Sequence, residues 1–317
     1  MPNRSLNPLL DAQTIATAEA LGLNARYIVE GYMTGEHKSP FHGFSMEFTQ
    51  HREYVAGDDV RHLDWKVLGR TDRYYLKQYE QETNYVAHIL LDGSESMRYG
   101  SNATPAQGPM RIAPGTRRST LSKLGYGKMM AACLAYLILH QRDAVALALF
   151  GEEISTYLPR TGNLASVHNI MAVLAAYDPR GQTHVGAVLH DVAGQIKRRG
   201  IVILISDLFD DEQQILDGIR HIRFGGSEVI VFHVMDPYEL EFPFRDRAQF
   251  DGMESDGPLL ARPLDIRASY LKEVEAFRQR IILGCEKNQS HYVLVDTSQP
   301  LHETLSAYLA FRQRTTG

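Results

Sequence analysis

The sequence predicts an α/β fold, a doubly wound and mostly parallel sheet, and three observations lead to it. Short runs that are apolar at almost every position recur along the last two-thirds of the chain, as in strands buried on both faces. Stretches with helical spacing of apolar residues separate these runs. One further short segment follows its predecessor after a tight turn, which predicts an antiparallel edge strand. Strands that alternate with helices imply right-handed crossovers and a sheet covered on both sides.

The predicted strands are short and rich in Val and Ile. In chain order they are Val86–Leu91, Ala144–Phe150, Ile201–Ile205, Val229–Val234 and Tyr292–Val295. The predicted edge strand is Ile154–Leu158, and the turn before it is centred on Gly151. These six segments make the sheet.

The predicted helices have apolar residues three or four positions apart. The first, about Leu121 to His140, is apolar almost all round, which is typical of a helix wedged inside a core. Asn163 and the pair Asp210 and Asp211 are capping residues. The apolar faces of the other helices are Leu164, Val167, Met171 and Leu174; Val185, Val188, Leu189 and Val192; Ile215, Ile219 and Ile222; and Leu271, Val274 and Phe277.

Composition and charge narrow the class of protein. The 317 residues are 44% hydrophobic and 22% charged, which is ordinary for a globular chain. The net charge of −5 offers no general attraction to nucleic acids or anionic membranes. No apolar run is long enough to span a bilayer, and two cysteines make no disulfide framework. We expect a cytoplasmic protein without a membrane span or a nucleic-acid partner.

Two domains are predicted. Residues 1–84 lack the strand–helix rhythm and form a smaller α+β module, with helical character over 8–33 and strand-like alternation from Phe44 to Phe48. Residues 85–317 form the α/β domain. An irregular stretch at about 237–268 is predicted to be a hairpin-like insertion, and 98–118 a polar loop.

A candidate site follows from polar residues at strand and helix ends. Asp92, Ser94 and Ser96 come directly after the first strand, Thr183 precedes a helix, and Asp207 follows a later strand. In a doubly wound sheet these positions meet at one edge, where ligands bind. Each residue alone is an ordinary cap or turn residue. Together, two carboxylates and three hydroxyls predict a site for Mg²⁺ or Mn²⁺, with Asp207 at a solvent-facing strand end.

The pattern D-x-S-x-S, then Thr, then Asp, resembles the metal-ion-dependent adhesion site of von Willebrand factor A-type domains. Asp92, Ser94, Ser96, Thr183 and Asp207 match it residue by residue. The resemblance implies that a carboxylate of a protein partner completes the metal shell. It also implies the six-strand order with a short antiparallel edge strand. The polar loop and the insertion depart from the pattern, and either could cover the metal.

A long run in the N-terminal module is a second and more specific motif. Its residues include Gly35, His37, Ser39, Gly43, Glu47, Phe48, Arg52, Tyr54, Gly57, Asp58, Asp59, Arg61, Leu63, Asp64, Trp65, Arg70, Thr71, Lys77, Glu80 and Glu82. The run resembles the bacterial domain of unknown function, family fifty-eight, in which it also precedes a von Willebrand A-like domain. Members often occur alongside MoxR-type AAA+ ATPases, so the resemblance implies such an ATPase as partner.

The charged part of this run has two possible roles. Arg52, Asp58, Asp59, Arg61, Asp64 and Arg70 are too many charges for a small apolar core. They could form an active site, but no activated nucleophile accompanies them. We therefore interpret them, with Trp65, as a buried ion-pair network that fixes packing.

Two function classes remain from the sequence. The favoured one is a non-enzymatic, metal-dependent protein-interaction module that serves a AAA+ ATPase. The alternative is a haloacid-dehalogenase-like phosphohydrolase that uses Mg²⁺, Asp92 and Asp207. That chemistry needs a second Asp two residues after the first, and Ser94 stands there instead.

Overall fold

The protein is represented by a computed structural model that describes most of the α/β domain. The described residues are 46–53, 67, 69, 74–81, 86–101, 113, 115–179, 181–196, 199–245, 248–250, 259–305 and 307–308. Contacts divide the chain into a small unit, Phe41–Tyr85, and a larger unit that contains Val86–Gly317. None of the helices within these described ranges is both long and apolar enough to span a bilayer.

The described part of the small unit is an antiparallel pair of strands, β1 (Met46–Glu53) and β2 (Tyr75–Gln81). The predicted strand character is confirmed at Met46 and Phe48, whereas Phe44 and the predicted helix over 8–33 lie outside the described residues. Of the predicted charged network only Arg52 lies in a described strand. Its other members, Asp58, Asp59, Arg61, Asp64, Trp65 and Arg70, lie outside the described residues, so the network stays a prediction.

The larger unit is built on a six-stranded sheet. Its strands are β3 (Val86–Asp92), β4 (Ala144–Phe150), β5 (Ile154–Thr161), β6 (Gly200–Ser206), β7 (Glu228–Met235) and β10 (His291–Asp296). The order is β10-β7-β6-β3-β4-β5, and only β5 runs antiparallel to its neighbour. The predicted fold class, strand set and antiparallel edge strand are confirmed.

The strand order creates a switch point at β3. This strand pairs with β4 on one side and with β6 on the other, in parallel. The crossovers that leave β3 and β6 therefore run in opposite directions across the sheet, which opens a crevice at the carboxyl ends of the strands. The order and the edge strand are those of a von Willebrand A-like domain.

Helices surround this sheet and connect its strands. Within the described ranges they include α1 (Lys123–His140), α2 (Val167–Ala176), α3 (Val185–Gln195), α4 (Glu212–Phe224), α5 (Pro237–Glu241) and α6 (Pro263–Lys287). The expectation that the first helix is buried all round is confirmed, because 13 of the 18 residues of α1 are buried. Asp211 caps α4 by accepting a hydrogen bond from the Gln214 backbone N–H, as predicted.

One detail of the predicted helices was wrong. Leu164 does not belong to the buried face of α2, because Asn163 caps a separate 3-10 turn and Leu164 is 44% exposed there. The segment predicted as a hairpin-like insertion contains both helix and strand. It opens with α5, its hairpin is β8 (Ala248–Phe250) paired with β9 (Leu259–Ala261), and α6 already begins at Pro263. Proline favours this first helical position because its φ is set for a helix.

Close packing of α3 on α4 fixes the segments that carry the candidate site, and glycine makes it possible. A Cβ atom on Gly186 of α3 would lie 2.5 Å from the Gln214 Cβ atom and 2.7 Å from the Gln214 carbonyl carbon. Backbone cannot move aside as a side chain can. Gly186→Ala should therefore destabilise the protein by about 1–3 kcal/mol through overpacking.

Gly194 on the same helix is the matched control. It is exposed, and a Cβ atom at this position would have no heavy atom within 4 Å. Gly194→Ala should stabilise the protein by about 0.5–1 kcal/mol, because alanine loses less backbone entropy in a helix. Urea denaturation measures both effects, and equal effects of the two substitutions would contradict this account of the α3–α4 contact.

Candidate functional site

The five sequence-predicted site residues meet at the carboxyl edge of the sheet. Asp92 ends β3, Ser94 and Ser96 follow it, Thr183 precedes α3, and Asp207 follows β6. Asp92 and Ser94 have no exposed surface, whereas Ser96 is partly exposed. The fold thus brings residues 115 positions apart in sequence into one cluster, of which only Ser96 is partly exposed.

Hydrogen bonds join the five residues, in part through the backbone N–H of Ser94. Thr183 Oγ1 donates to Asp92 Oδ2 at 3.1 Å, and the Ser94 backbone N–H donates to Asp92 Oδ1 at 2.9 Å. The hydroxyl oxygens of Ser94 and Ser96 are 2.9 Å apart, and Ser96 hydrogen-bonds Asp207. The oxygen atoms of all five residues are therefore neighbours.

Backbone contacts between two loops hold this arrangement. The Glu95 N–H donates to the Gly181 carbonyl at 3.0 Å, which ties the segment after β3 to the segment that carries Thr183. Gly181 has a φ of +73°, a left-handed conformation that favours glycine. Arg98 donates to the Pro179 carbonyl at 2.7 Å and forms an ion pair with Asp178 at 3.0 Å.

A buried lysine adjoins the cluster. Lys123, in the first turn of α1, is only 3% exposed. Its Nζ atom lies 2.8 Å from Asp207 Oδ2 and 2.6 Å from Glu239 Oε1. Glu239 is itself held in a capping box, in which Glu239 Oε2 accepts from the Asp236 backbone N–H. One ammonium group therefore bridges two fixed carboxylates.

The electrostatics differ between the two aspartates. Burial, reinforced by the nearby Asp207 charge, raises the pKa of Asp92 well above its usual range. Burial also acts to raise the pKa of Asp207, but the Lys123 ammonium outweighs it and the pKa of Asp207 is lowered. Burial likewise lowers the pKa of the neighbouring His233 to about 4, so that histidine is neutral at pH 7. Asp207 is therefore stably ionised, while ionised Asp92 lacks a compensating cation.

The chemistry of these donors fits a hard divalent cation. Lys123 pairs with Asp207 and Glu239 but not with Asp92, so two negative charges remain at these groups when all three carboxylates are ionised. Mg²⁺ and Mn²⁺ favour carboxylate, hydroxyl and water oxygens. Within the described ranges no group of three or more His, Cys, Asp or Glu side chains is arranged to hold a metal ion. Any metal here would depend on the Ser and Thr hydroxyls and on water.

Sequence reasoning missed three residues of the site and misjudged the exposure of a fourth. Ser206 Oγ donates to Asp92 Oδ2 at 2.6 Å, and Lys123 and Glu239 form the ion-pair bridge. Asp207 is not solvent-facing as expected, because it is only 8% exposed and paired with Lys123. The one signal for Lys123 in the sequence was that a charged residue stands at the start of a helix that is apolar almost all round.

The polar loop after the motif makes two described contacts with the strand ends, and one is an ion pair of Arg117 with Asp296 at the end of β10, at 2.7 Å. The Ser101 backbone N–H and hydroxyl both donate to Asp236 Oδ2, at 2.9 and 3.0 Å. This contact anchors the loop beside β7. Most of the rest of the loop lies outside the described residues, so its effect on access to the site stays a prediction.

The amino-acid sequence of this chain is similar to one protein family and to individual proteins of other organisms. The model of a family described as "Protein of unknown function DUF58" matches residues 50–280. The uncharacterized proteins Rv1480 of Mycobacterium tuberculosis and Mb1516 of Mycobacterium bovis are each 25% identical over 238 residues, which is 74% of this chain and 68% of theirs.

Similar solved structures include two from distant proteins. The conserved hypothetical protein BatB from Bacteroides thetaiotaomicron has a TM-score of 0.45 and 18% identity, covering 73% of this chain and 99% of that one. The VWA domain of SpRpn10 has a TM-score of 0.40 and 14% identity, covering 70% of this chain and 94% of that one.

Proposed function

This chain belongs to the DUF58 family of proteins of unknown function, and we propose that it works as a metal-dependent protein-interaction module. Domains with a von Willebrand A-like fold are often interaction modules, but a fold alone does not define a function. The proposal therefore depends on the site. The observation that carries it is the hydrogen-bonded chain from Thr183 through Asp92, Ser94 and Ser96 to Asp207.

Each residue has a defined part in the proposed site. Asp92, Ser94, Ser96 and Thr183 would hold Mg²⁺ or Mn²⁺, and Asp207 would add negative charge through Ser96 while Lys123 keeps it ionised. The bound cation would supply a positive charge that attracts a carboxylate of the partner. Ser96 is the partly exposed member of the cluster, so a partner can approach from its side.

The partner in this proposal is a protein that presents an acidic residue, and a MoxR-type AAA+ ATPase is our candidate. The role would be that of an adaptor or cofactor of the ATPase in the cytoplasm. The net charge of −5 disfavours nucleic acid as the alternative partner.

Substitution of Thr183 provides the sharpest test of the metal-dependent interface, because one replacement removes its hydroxyl group and another keeps it. Thr183→Val removes the donor to Asp92 Oδ2 but keeps the volume, whereas Thr183→Ser keeps the hydroxyl. We expect Thr183→Val to weaken Mg²⁺-dependent binding to the purified MoxR-type ATPase by about 10–100-fold, and Thr183→Ser to bind nearly as wild type.

Chelation completes this test. EDTA should reproduce the Thr183→Val defect in the wild-type protein and add nothing to the defect of the variant. Thermal melting of both variants establishes that they are folded. Wild-type affinity in EDTA, or equal affinity of the Val and Ser variants, would rule out the metal-dependent interface.

A further inference from the structure

A large cavity shares Asp207 with the candidate site and extends away from the other four site residues. Its volume is about 550 Å³, and it lies between the carboxyl ends of β6 and β7 and one face of α6. Asp207 and Lys123 belong to its buried lining, and the partly buried Glu239 lies beside them. The exposed residues Phe209 and Glu273 mark its mouth. The cavity therefore opens next to the surface where the partner would bind.

The wall of the cavity is an apolar stripe of α6 that the core leaves half-covered. Ile281 and Cys285 of this stripe are buried in the core. Phe277 and Val274, one and two turns before Ile281, are only half-buried and line the cavity. Buried Leu208 and Met235 lie on the opposite wall. A side chain that entered here would continue the packing of the core and gain about 25 cal/mol for each Å² of apolar surface removed from water.

The charges around the cavity are mostly negative. Asp207, Asp210, Glu239 and Glu273 line it with Lys123 and the neutral His233, so the lining carries three net negative charges when the four carboxylates and Lys123 are ionised. The Lys123 ammonium group forms ion pairs with Asp207 and Glu239 deep in the cavity. Glu273 at the mouth forms no ion pair with any described residue. Negative potential at the mouth favours a cationic group there.

We propose that this cavity receives an apolar side chain of a protein partner, and that Asp210 and Glu273 hold a basic residue next to it in the partner segment. The inference rests on the proposed interaction function and names the chemistry of the partner. Phe209, which is 59% exposed, would pack against the same segment and could stack beneath its cation. Because the positively charged Lys123 lies deep in the cavity, the apolar side chain enters the cavity and the basic side chain stays at its mouth.

A short peptide probe tests the proposal on the full chain. The probe is acetyl-Gly-Leu-Arg-Leu-Gly-amide, and the matched control has Glu in place of Arg. Binding is followed by methyl NMR signals of Leu208, Met235 and Val274. We expect the Arg peptide to shift these signals and to bind about tenfold more tightly than the Glu peptide, with an affinity that falls as salt rises.

Substitutions on α6 identify the site of binding. Glu273→Lys should weaken binding of the Arg peptide about tenfold, whereas Glu286→Lys, at an exposed position of the same helix outside the cavity, should not. Val274→Phe should narrow the cavity and weaken peptide binding about tenfold while the melting temperature stays unchanged or rises. A peptide that binds Val274→Phe as tightly as it binds the wild type would overturn the proposal, as would equal binding of the two peptides.

Two further measurements separate this proposal from the metal proposal. Arginine amide that binds as tightly as the Arg peptide would make the cavity a small-amine site and overturn the protein segment as occupant. Peptide binding should persist in EDTA, because the cavity contacts need no metal. If the wild-type protein binds the peptide but binds no Mg²⁺, the metal proposal alone is rejected. If the protein binds its partner only with Mg²⁺ and does not bind the peptide, the cavity proposal alone is rejected.

Discussion

Asp92→Asn is expected to eliminate detectable Mg²⁺ and Mn²⁺ binding without lowering the stability of the metal-free protein. The substitution keeps the size of the side chain but removes its charge. Burial and the Asp207 charge raise the pKa of Asp92, so ionised Asp92 destabilises the folded state at pH values above its unfolded pKa. Removing that charge removes the destabilisation, while the cation loses its one buried carboxylate that no ammonium neutralises.

Calorimetry and thermal melting together check this result. In the wild type, saturating Mg²⁺ should raise the melting temperature, because a ligand that binds only the folded state stabilises it by mass action. In Asp92→Asn that rise should disappear, and the metal-free melting temperature should equal or exceed that of the wild type. Asp191→Asn, on the exposed face of α3, is the control and should behave as wild type. A Mg²⁺-induced rise that survives in Asp92→Asn would exclude the proposed metal site.

Lys123→Met is expected to cause the largest loss of stability, about 3–5 kcal/mol at neutral pH. Methionine has a similar length and packs well in a core, so the loss comes from the charge. Without the ammonium group, Asp207 and Glu239 keep their places as buried carboxylates with no cation between them. Breaking a buried ion pair by removing one partner strands the other, which costs far more than the pair itself contributes.

The pH dependence of this loss has a definite sign. In the wild type, Lys123 lowers the pKa of Asp207, so Asp207 contributes stability above its unfolded pKa and loses it as the solution becomes acidic. In Lys123→Met the stranded carboxylates bind protons more readily in the folded state. The stability deficit should therefore shrink between pH 7 and pH 4, as measured by urea denaturation.

A double substitution isolates the bridge. Adding Glu239→Gln to Lys123→Met removes one stranded charge and should recover part of the lost stability, whereas Glu239→Gln alone should destabilise the wild type. Mg²⁺ should also stabilise Lys123→Met more than it stabilises the wild type, because Asp207 is no longer neutralised nearby. Independent, additive effects of the two substitutions would show that the bridge is not a coupled unit.

The sheet and most of the candidate site could be predicted because their signals are local. Val86–Leu91 is apolar except at His88 and Ile201–Ile205 is apolar throughout, and that pattern predicts a buried strand without knowledge of its neighbours. Asp92 and Asp207 come directly after those runs, so the parallel arrangement alone puts both at one edge. Local signals failed at Leu164, where a capped turn took the residue out of the helix.

The sequence by itself determined the α/β class, the edge strand and the five candidate site residues, since periodicity and strand ends can be read from consecutive residues. Only the tertiary structure decided that Asp207 is buried, because its partner Lys123 lies 84 positions away in the chain, and Glu239, which pairs with the same lysine, lies 32 positions away. The cavity beside it was equally invisible, since its opposite walls come from β7 and α6. Ion pairs and cavities depend on the distances between helices and strands. An amphipathic sequence pattern indicates which face of a helix or strand is apolar, but not how closely another element approaches that face.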